Sequence, residues 1–225
     1  MQLNSLSYFF GFGVAFACLS LLCIIMNVVL RLIIVVYIFS IVAACSLSRD
    51  PQRRELQLLQ KGKIKEDTSY VYWLPYAEGT THRLVQGYYS GYSHKNRAAL
   101  DFKMKPGTHI HAARDGLVVR LIEENGKGGW NKRNRKYANL IVIEHSDGSR
   151  AGYWHLQKNG ALVNIGDSVK KGQLIGLSGN SGFTAFPHLH FIAWKPGGGG
   201  PMGTRFLTAK GIKYLRPLRR YKSKH

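Results

Sequence analysis

The sequence predicts an all-β domain, an antiparallel β-sandwich or barrel-like fold, preceded by an apolar signal or anchor segment. Three observations predict it. Beyond Tyr70, short runs rich in Val, Ile, Tyr and Trp are punctuated by Gly and by Asp-Gly pairs, which marks strands joined by tight turns. Few stretches in that region repeat their apolar residues at helical spacing, so the strands have no helices between them to make crossovers. Residues 6–44, by contrast, are apolar apart from Arg31 and a scatter of small polar groups.

As one helix that apolar run would extend about 58 Å at about 1.5 Å per residue, nearly twice a bilayer core of about 30 Å. Arg31 is the natural divider. Leu6 to Leu30 is long enough to span a bilayer, and Leu32 to Ala44 has the length of a signal-peptide hydrophobic region. Read from Met26, the chain offers a short segment carrying Arg31, a hydrophobic stretch, then Val42-Ala43-Ala44-Cys45, which resembles the lipobox of bacterial lipoproteins. Translation from Met26 with lipidation at Cys45 is therefore expected, with an uncleaved transmembrane anchor as the alternative. Either way the body is exported to the cell envelope, and Ser46 after the cysteine resembles an outer-membrane sorting pattern facing the periplasm.

The organisation expected is a leader at 1–45, a charged linker at 46–69 with a short helix around Arg54 to Lys61, a β domain at 70–196 and a flexible Gly-rich, basic extension at 197–225. The net charge of +20 implies an anionic partner: nucleic acid, a lipid surface or anionic wall polymers. Export removes nucleic acid from that set. All three cysteines, Cys18, Cys23 and Cys45, lie in the leader, which excludes a disulfide framework, a thiolate metal site or a cysteine nucleophile in the body.

Within the body, LIVIEHSDGSRAGYWHL reads as a hairpin, residues 140–145 and 150–156 turning at Asp147-Gly148. Further strands are expected at Ala98 to Phe102, Leu117 to Ile122, Gln173 to Leu177 and Leu189 to Trp194. Residues 124–137 form a long basic loop carrying Trp130, either a substrate contact or a solvated excursion.

The chemistry concentrates at histidines. His188 and His190 flank Leu189 in an expected strand, where alternation turns both imidazoles to one face. Upstream, SHKNRAALDF contains His94 and Asp101, donors suited to a borderline cation such as zinc. Asp101 lies between Leu100 and Phe102, where an unpaired carboxylate would be costly and a ligand role would explain it. His155 follows Tyr153-Trp154 late in a hairpin strand. His109 and His111 form another His-x-His pair but are read as non-ligands; His82, His145 and His225 are read as structural or exposed.

The motifs GTHIHAARDGLVV, ANLIVIEHSDG, YWHL, VNIGDSVKKGQLIGLSGNSG and PHLHF stand in this order between about Tyr70 and Trp194. In this the sequence resembles the lysostaphin-type zinc metallopeptidases, also called LytM or glycyl-glycine endopeptidase domains. The resemblance implies Zn2+ held by His94, Asp101 and His190, a catalytic pair in His155 and His188, and hydrolysis of peptide cross-links or stem peptides in bacterial peptidoglycan. Two departures stand out: six residues separate His94 from Asp101 where three are usual, and Ile192 replaces an acidic residue after the last histidine motif. A non-catalytic relative of the same fold, binding peptidoglycan or activating an amidase, is the alternative; such relatives lose ligands or histidines, and here all five positions are filled. A biotinyl or lipoyl carrier, suggested by VNIGDSVKKGQLIGLSG, lacks its modifiable lysine and would leave the histidines unexplained.

Overall fold

The structure, a computed structural model, describes residues 25–38, 51–61, 63, 70–91 and 93–224. The chain divides into two compact units, Met1–Arg54 and Glu55–His225. In the first, residues 25–38 form a helix, α1, whose residues are all exposed. It runs through Arg31 without a break, where the sequence suggested a divider; arginine is a good helix former, so one charge need not end the helix. Among the described residues no helix is long and apolar enough to cross a membrane. The lipobox-like residues 42–45 and most of the leader lie outside the described residues.

Helix α2, Pro51–Gln60, starts with proline, whose missing N–H costs nothing at a first helical position. It does more than tether. Leu56 is buried against Tyr89, Ala98 and Tyr214, and the Gln60 amide donates to the Leu215 carbonyl at 3.0 Å.

Along the second unit the strands are β1 Val71–Trp73, β2 Thr81–Gln86, β3 Ala99–Lys103, β4 His109–His111, β5 Gly116–Ile122 and β6 Gly128–Gly129. There follow β7 Leu140–Glu144, β8 Arg150–Trp154, β9 Leu156–Ala161, β10 Ser168–Val169, β11 Leu174–Ser178 and β12 Gly182–Phe183. The last are β13 His188–Trp194, β14 Pro201–Met202, β15 Arg205–Thr208, β16 Gly211–Tyr214 and β17 Arg220–Lys222. The expected hairpin is β7–β8, and β3, β5, β11 and β13 fall within a residue of their expected positions.

One large sheet organises the domain in the order β10-β5-β7-β8-β13-β3-β2-β17, with β14 also on β13. Every pairing in it is antiparallel. The sheet does not close on itself, so the barrel-like expectation is corrected to an open sheet. Two three-stranded sheets, β1-β15-β16 and β4-β11-β9, and a two-stranded β12-β6 accompany it. The β1–β15 and β12–β6 pairs are parallel, joining segments far apart in sequence that no hairpin signal announces.

The main sheet buries alternate residues. Leu100 and Phe102 of β3, Leu189 and Phe191 of β13 and Tyr153 of β8 enter one core with Ile141, Ile143 and Phe206. Within it the buried Tyr153 hydroxyl accepts a hydrogen bond from the Ala113 amide at 2.8 Å.

The flexible C-terminal extension expected at 197–225 is overturned. The glycine run around Pro196–Gly198 forms a short 3-10 turn; beyond it β14 pairs with β13, β15 with β1 and β17 with β2. Phe206 and Leu215 are fully buried. The physical reason is that apolar residues there are few but alternate with long basic side chains, whose heads stay in water while their backbone completes the sheets.

His145, just after β7, is a structural histidine. Its Nδ1–H donates to the Asp115 carbonyl at 2.7 Å and its ring meets Tyr72 edge-on at 5.6 Å. Burial pushes its pKa from 6.5 down to about 4, more than the hydrogen bond to Asp115 holds it up. The folded chain therefore refuses a proton that the unfolded chain accepts near pH 6.5, and stability is expected to fall by on the order of 3 kcal/mol as pH drops from about 6.5 to about 4. Urea unfolding at pH 7 and at pH 4.5 checks this: His145→Gln should show a smaller loss than the unsubstituted chain, and equal losses would remove His145 as the cause.

Candidate metal centre

The face of the main sheet opposite the core carries the polar residues that alternate with the core ones. In β3 this parity selects Asp101 between Leu100 and Phe102; in β13 it selects His188 and His190 around Leu189. The register of β13 on β3 sets His190 directly across from Asp101, and its register on β8 sets His190 across from Trp154. His94 reaches the same point from the segment between β2 and β3 and is fully buried.

Three donor atoms converge. Asp101 Oδ1 lies 2.8 Å from His190 Nδ1 and 3.2 Å from His94 Nε2, and the two histidine nitrogens are 3.2 Å apart. Around a tetrahedral zinc at about 2.0–2.1 Å from each ligand, neighbouring ligands lie about 3.3 Å apart. The triangle is within half an ångström of that, so the residues fit such an ion. The tautomer of His94 suits it as well, because Nδ1–H donates to the Gly87 carbonyl at 3.1 Å and leaves the Nε2 lone pair facing Asp101.

The other two histidines stand beside the triangle. His155 Nδ1–H donates to the Ser181 carbonyl and His188 Nδ1–H to the Phe186 carbonyl, each at 2.7 Å. Both are thereby oriented with Nε2 away from those carbonyls, and His188 Nε2 is 3.6 Å from Asp101 Oδ1. The rings of His155 and His188 are 4.7 Å apart. His155 sits between β8 and β9 at φ 67°, a strained conformation for a residue with a side chain; it turns the imidazole out of the strand and toward the site. A second trio, His155, His188 and His190, also brings its donor atoms within 4.8 Å of one another. The trio with Asp101 is tighter and contains the charge a cation needs.

Electrostatics follow from burial. Desolvation alone would raise the Asp101 pKa, but the hydrogen bonds from His190 and His94 and the neighbouring imidazole charges hold it well below the usual carboxylate range. Burial pushes His155 down to about 3, with His188 and His190 adding to the effect, and lowers His190 against the opposing pull of Asp101. His155 is thus neutral at physiological pH.

The site opens into a cleft of about 530 Å³. One wall is Trp154, edge-on to His190 at 6.0 Å and against Trp194 at 5.4 Å. Gly152 makes room for it: a Cβ there would lie 1.9 Å from the Trp154 ring. The opposite wall comes from the basic loop at 124–137, which forms β6 and a 3-10 turn at Lys132–Tyr137. The β6–β12 pairing brings Trp130, 59% exposed, to 5.1 Å from Phe183, and Arg135 lies over Phe183 at 5.5 Å.

All five residues singled out in the sequence thus meet in one cleft. His109, His111, His82 and His145 lie elsewhere: His111 Nδ1–H donates to the Gly172 carbonyl at 2.7 Å, and His82, expected in a loop, sits in β2 against Tyr76. Sequence reasoning missed Phe183 and the carbonyls of Gly87, Ser181 and Phe186. The glycine-rich SGNSG segment was a visible signal for a close approach, since a Cβ on Gly182 would lie 2.6 Å from that of Ala138, but backbone acceptors leave no trace in residue type.

A buried imidazole–carboxylate trio with two further oriented imidazoles in one cleft is an arrangement that could hold a metal ion. Residues 93–202 match Peptidase family M23. It is 41% identical over 92 residues to the peptidoglycan DD-endopeptidase ShyA of Vibrio cholerae, covering 40% of this chain and 18% of ShyA. To the glycyl-glycine endopeptidase ALE-1 of Staphylococcus capitis it is 40% identical over 97 residues, 43% of this chain and 24% of ALE-1. The catalytic domain of lysostaphin from Staphylococcus simulans aligns at 32% identity with a TM-score of 0.38, over 51% of this chain and 79% of that one. The match thus spans less than a quarter of the length of ShyA or ALE-1.

Asp101→Asn is expected to weaken Zn2+ binding by more than about 100-fold, beyond the effect of losing an outer partner, while His155→Ala leaves binding intact. Competition with a chelating dye measures both. The reverse pattern would move the metal to the trio of His155, His188 and His190.

Proposed function

We propose that this chain is a zinc-dependent endopeptidase that hydrolyses peptide bonds in the cross-links or stem peptides of bacterial peptidoglycan. The observation that carries the reading is the triangle of His94 Nε2, Asp101 Oδ1 and His190 Nδ1, with sides of 2.8–3.2 Å. The match of residues 93–202 to Peptidase family M23 supports it, as does the similarity to the endopeptidases ShyA and ALE-1. Those three residues would hold the metal. A bound zinc supplies Lewis acidity, which polarises a carbonyl and lowers the pKa of water to about 7.

The chain's own groups do the rest. His155 and His188, each anchored through Nδ1 to a backbone carbonyl, exchange protons at Nε2, one accepting from the attacking water and the other donating to the leaving amine. An imidazolium there also stabilises negative charge on the scissile carbonyl oxygen. Trp154 bounds the cleft on one side, and Trp130 with Phe183 offers an exposed aromatic surface for the substrate chain on the other.

The apolar leader in the sequence supports export and attachment to the membrane, by a lipid on Cys45 or by a helix, with the domain acting in the cell envelope. The net charge of +20 suits a working place rich in anionic polymers.

Digestion of isolated peptidoglycan tests the proposal. The zinc-loaded chain should release fragments bearing new free amines, chelation should stop this and zinc restore it, and mass analysis of the fragments identifies the bond. His155→Ala should keep its zinc while losing about 10²–10⁴ in rate. A folded, zinc-loaded chain that releases no amines would instead be a binding or regulatory protein. Trp130→Ala is expected to raise KM several-fold with little change in kcat, measured on soluble muropeptides.

A further inference from the structure

A second groove, of about 1000 Å³, shares no lining residue with the catalytic cleft. It is built by the end of α2 and by β15, β16 and β17, the part of the chain that composition suggested was a tail. Eight of its lining residues are Lys or Arg and none is Asp or Glu. Lys210, Arg216, Arg219, Arg220 and Lys222 are exposed and Lys213 is half-buried. So many like charges on one face repel one another and gain from an anionic partner.

Charge is not the only feature here. Ile212, which lines the groove, is 53% exposed, and Leu218, in the turn before β17, is 68% exposed, each with cations on both sides in sequence: Ile212 between Lys210 and Lys213, Leu218 between Arg216 and Arg219. Leu218 is held outward by its backbone. It takes φ 64°, a conformation unusual for a bulky residue, and the turn is pinned where Leu218 N–H donates to the Leu84 carbonyl at 2.7 Å and Leu84 N–H to the Arg219 carbonyl at 2.9 Å. The position of Leu218 is thus fixed by the backbone of the turn.

We propose that this face is a docking surface for an anionic phospholipid bilayer, its cations meeting lipid phosphates while Leu218 and Ile212 enter the headgroup layer. On a polyphosphate wall polymer or a nucleic acid the two apolar side chains would stay in water; at a bilayer surface they find the acyl boundary. Each cation near such a surface contributes roughly fivefold in partitioning. The chain path agrees with this: the apolar run at 6–44 ends only six residues (45–50) before Pro51, the start of α2, and the last residues of α2 line the groove. The inference stands apart from the hydrolytic reading, since the groove and the cleft have no residue in common.

Hydrogen exchange of the full chain, reconstituted into phosphatidylcholine vesicles with or without phosphatidylglycerol, tests it. Amides of residues 209–222 should exchange several-fold more slowly in the anionic vesicles, and the difference should fade as salt rises. Arg219→Glu with Arg220→Glu should abolish the protection while amides of β13 exchange as before. If β13 also loosens in that variant, Leu218→Asp, a change at an exposed side chain, takes its place and should likewise abolish it. Equal exchange in the two vesicles, or slowing spread evenly over the domain, overturns the proposal. So does equal protection on neutral vesicles when a soluble polyphosphate or an oligonucleotide is added, since the partner would then not be lipid.

Discussion

The centre depends on the antiparallel pairing of β13 with β3, which places His190 opposite Asp101. A carboxylate 4% exposed and flanked by Leu100 and Phe102 has lost most of its hydration, and a buried charge without partners is among the costliest features a fold can carry. Here the loss is offset by imidazoles on two segments, His94 and His190, both within 3.2 Å of one carboxylate oxygen. The same convergence that stabilises Asp101 also defines a place for a cation. Structure and chemistry are therefore one arrangement.

Around that pair the backbone acts as scaffold. Three of the four site histidines give their Nδ1–H to main-chain carbonyls, those of Gly87, Ser181 and Phe186, and so aim Nε2 away from the backbone. Only His190 turns Nδ1 to Asp101. This division separates the ring that shares the carboxylate most closely from rings held at fixed distances around it. Positions on strands and on pinned loops hold such groups more exactly than long free side chains do. Gly152 contributes by absence, leaving the space that Trp154 fills.

Much of this was legible in the residues. Alternation in PHLHFIAW put His188 and His190 on one face, and the apolar neighbours of Asp101 announced a carboxylate that needed partners, because strand periodicity is local and survives in any fold. The β7–β8 hairpin was likewise announced by Asp147-Gly148. The basic C-terminal segment was not. Its strands pair with β13, β1 and β2, partners distant in sequence, and the parallel β1–β15 contact has no turn to signal it. Likewise the divider expected at Arg31 rested on the length of the apolar run and on one charge, neither of which interrupts the helix at 25–38.

The sequence by itself determined the set of chemical groups: five polar side chains in ordered motifs, the absence of thiols from the body, a large excess of positive charge and an all-β pattern. Local alternation and residue chemistry suffice for these. Only the tertiary structure decided that His94, from outside the strands, reaches the same oxygen as His190, that the sheet stays open, that the terminal segment is part of the fold, and that its cations line a groove separate from the cleft. Each of these depends on which distant strands pair, and that choice is made by burial of Phe102, Tyr153, Phe191 and Phe206 in one core, an energy no local stretch of residues expresses.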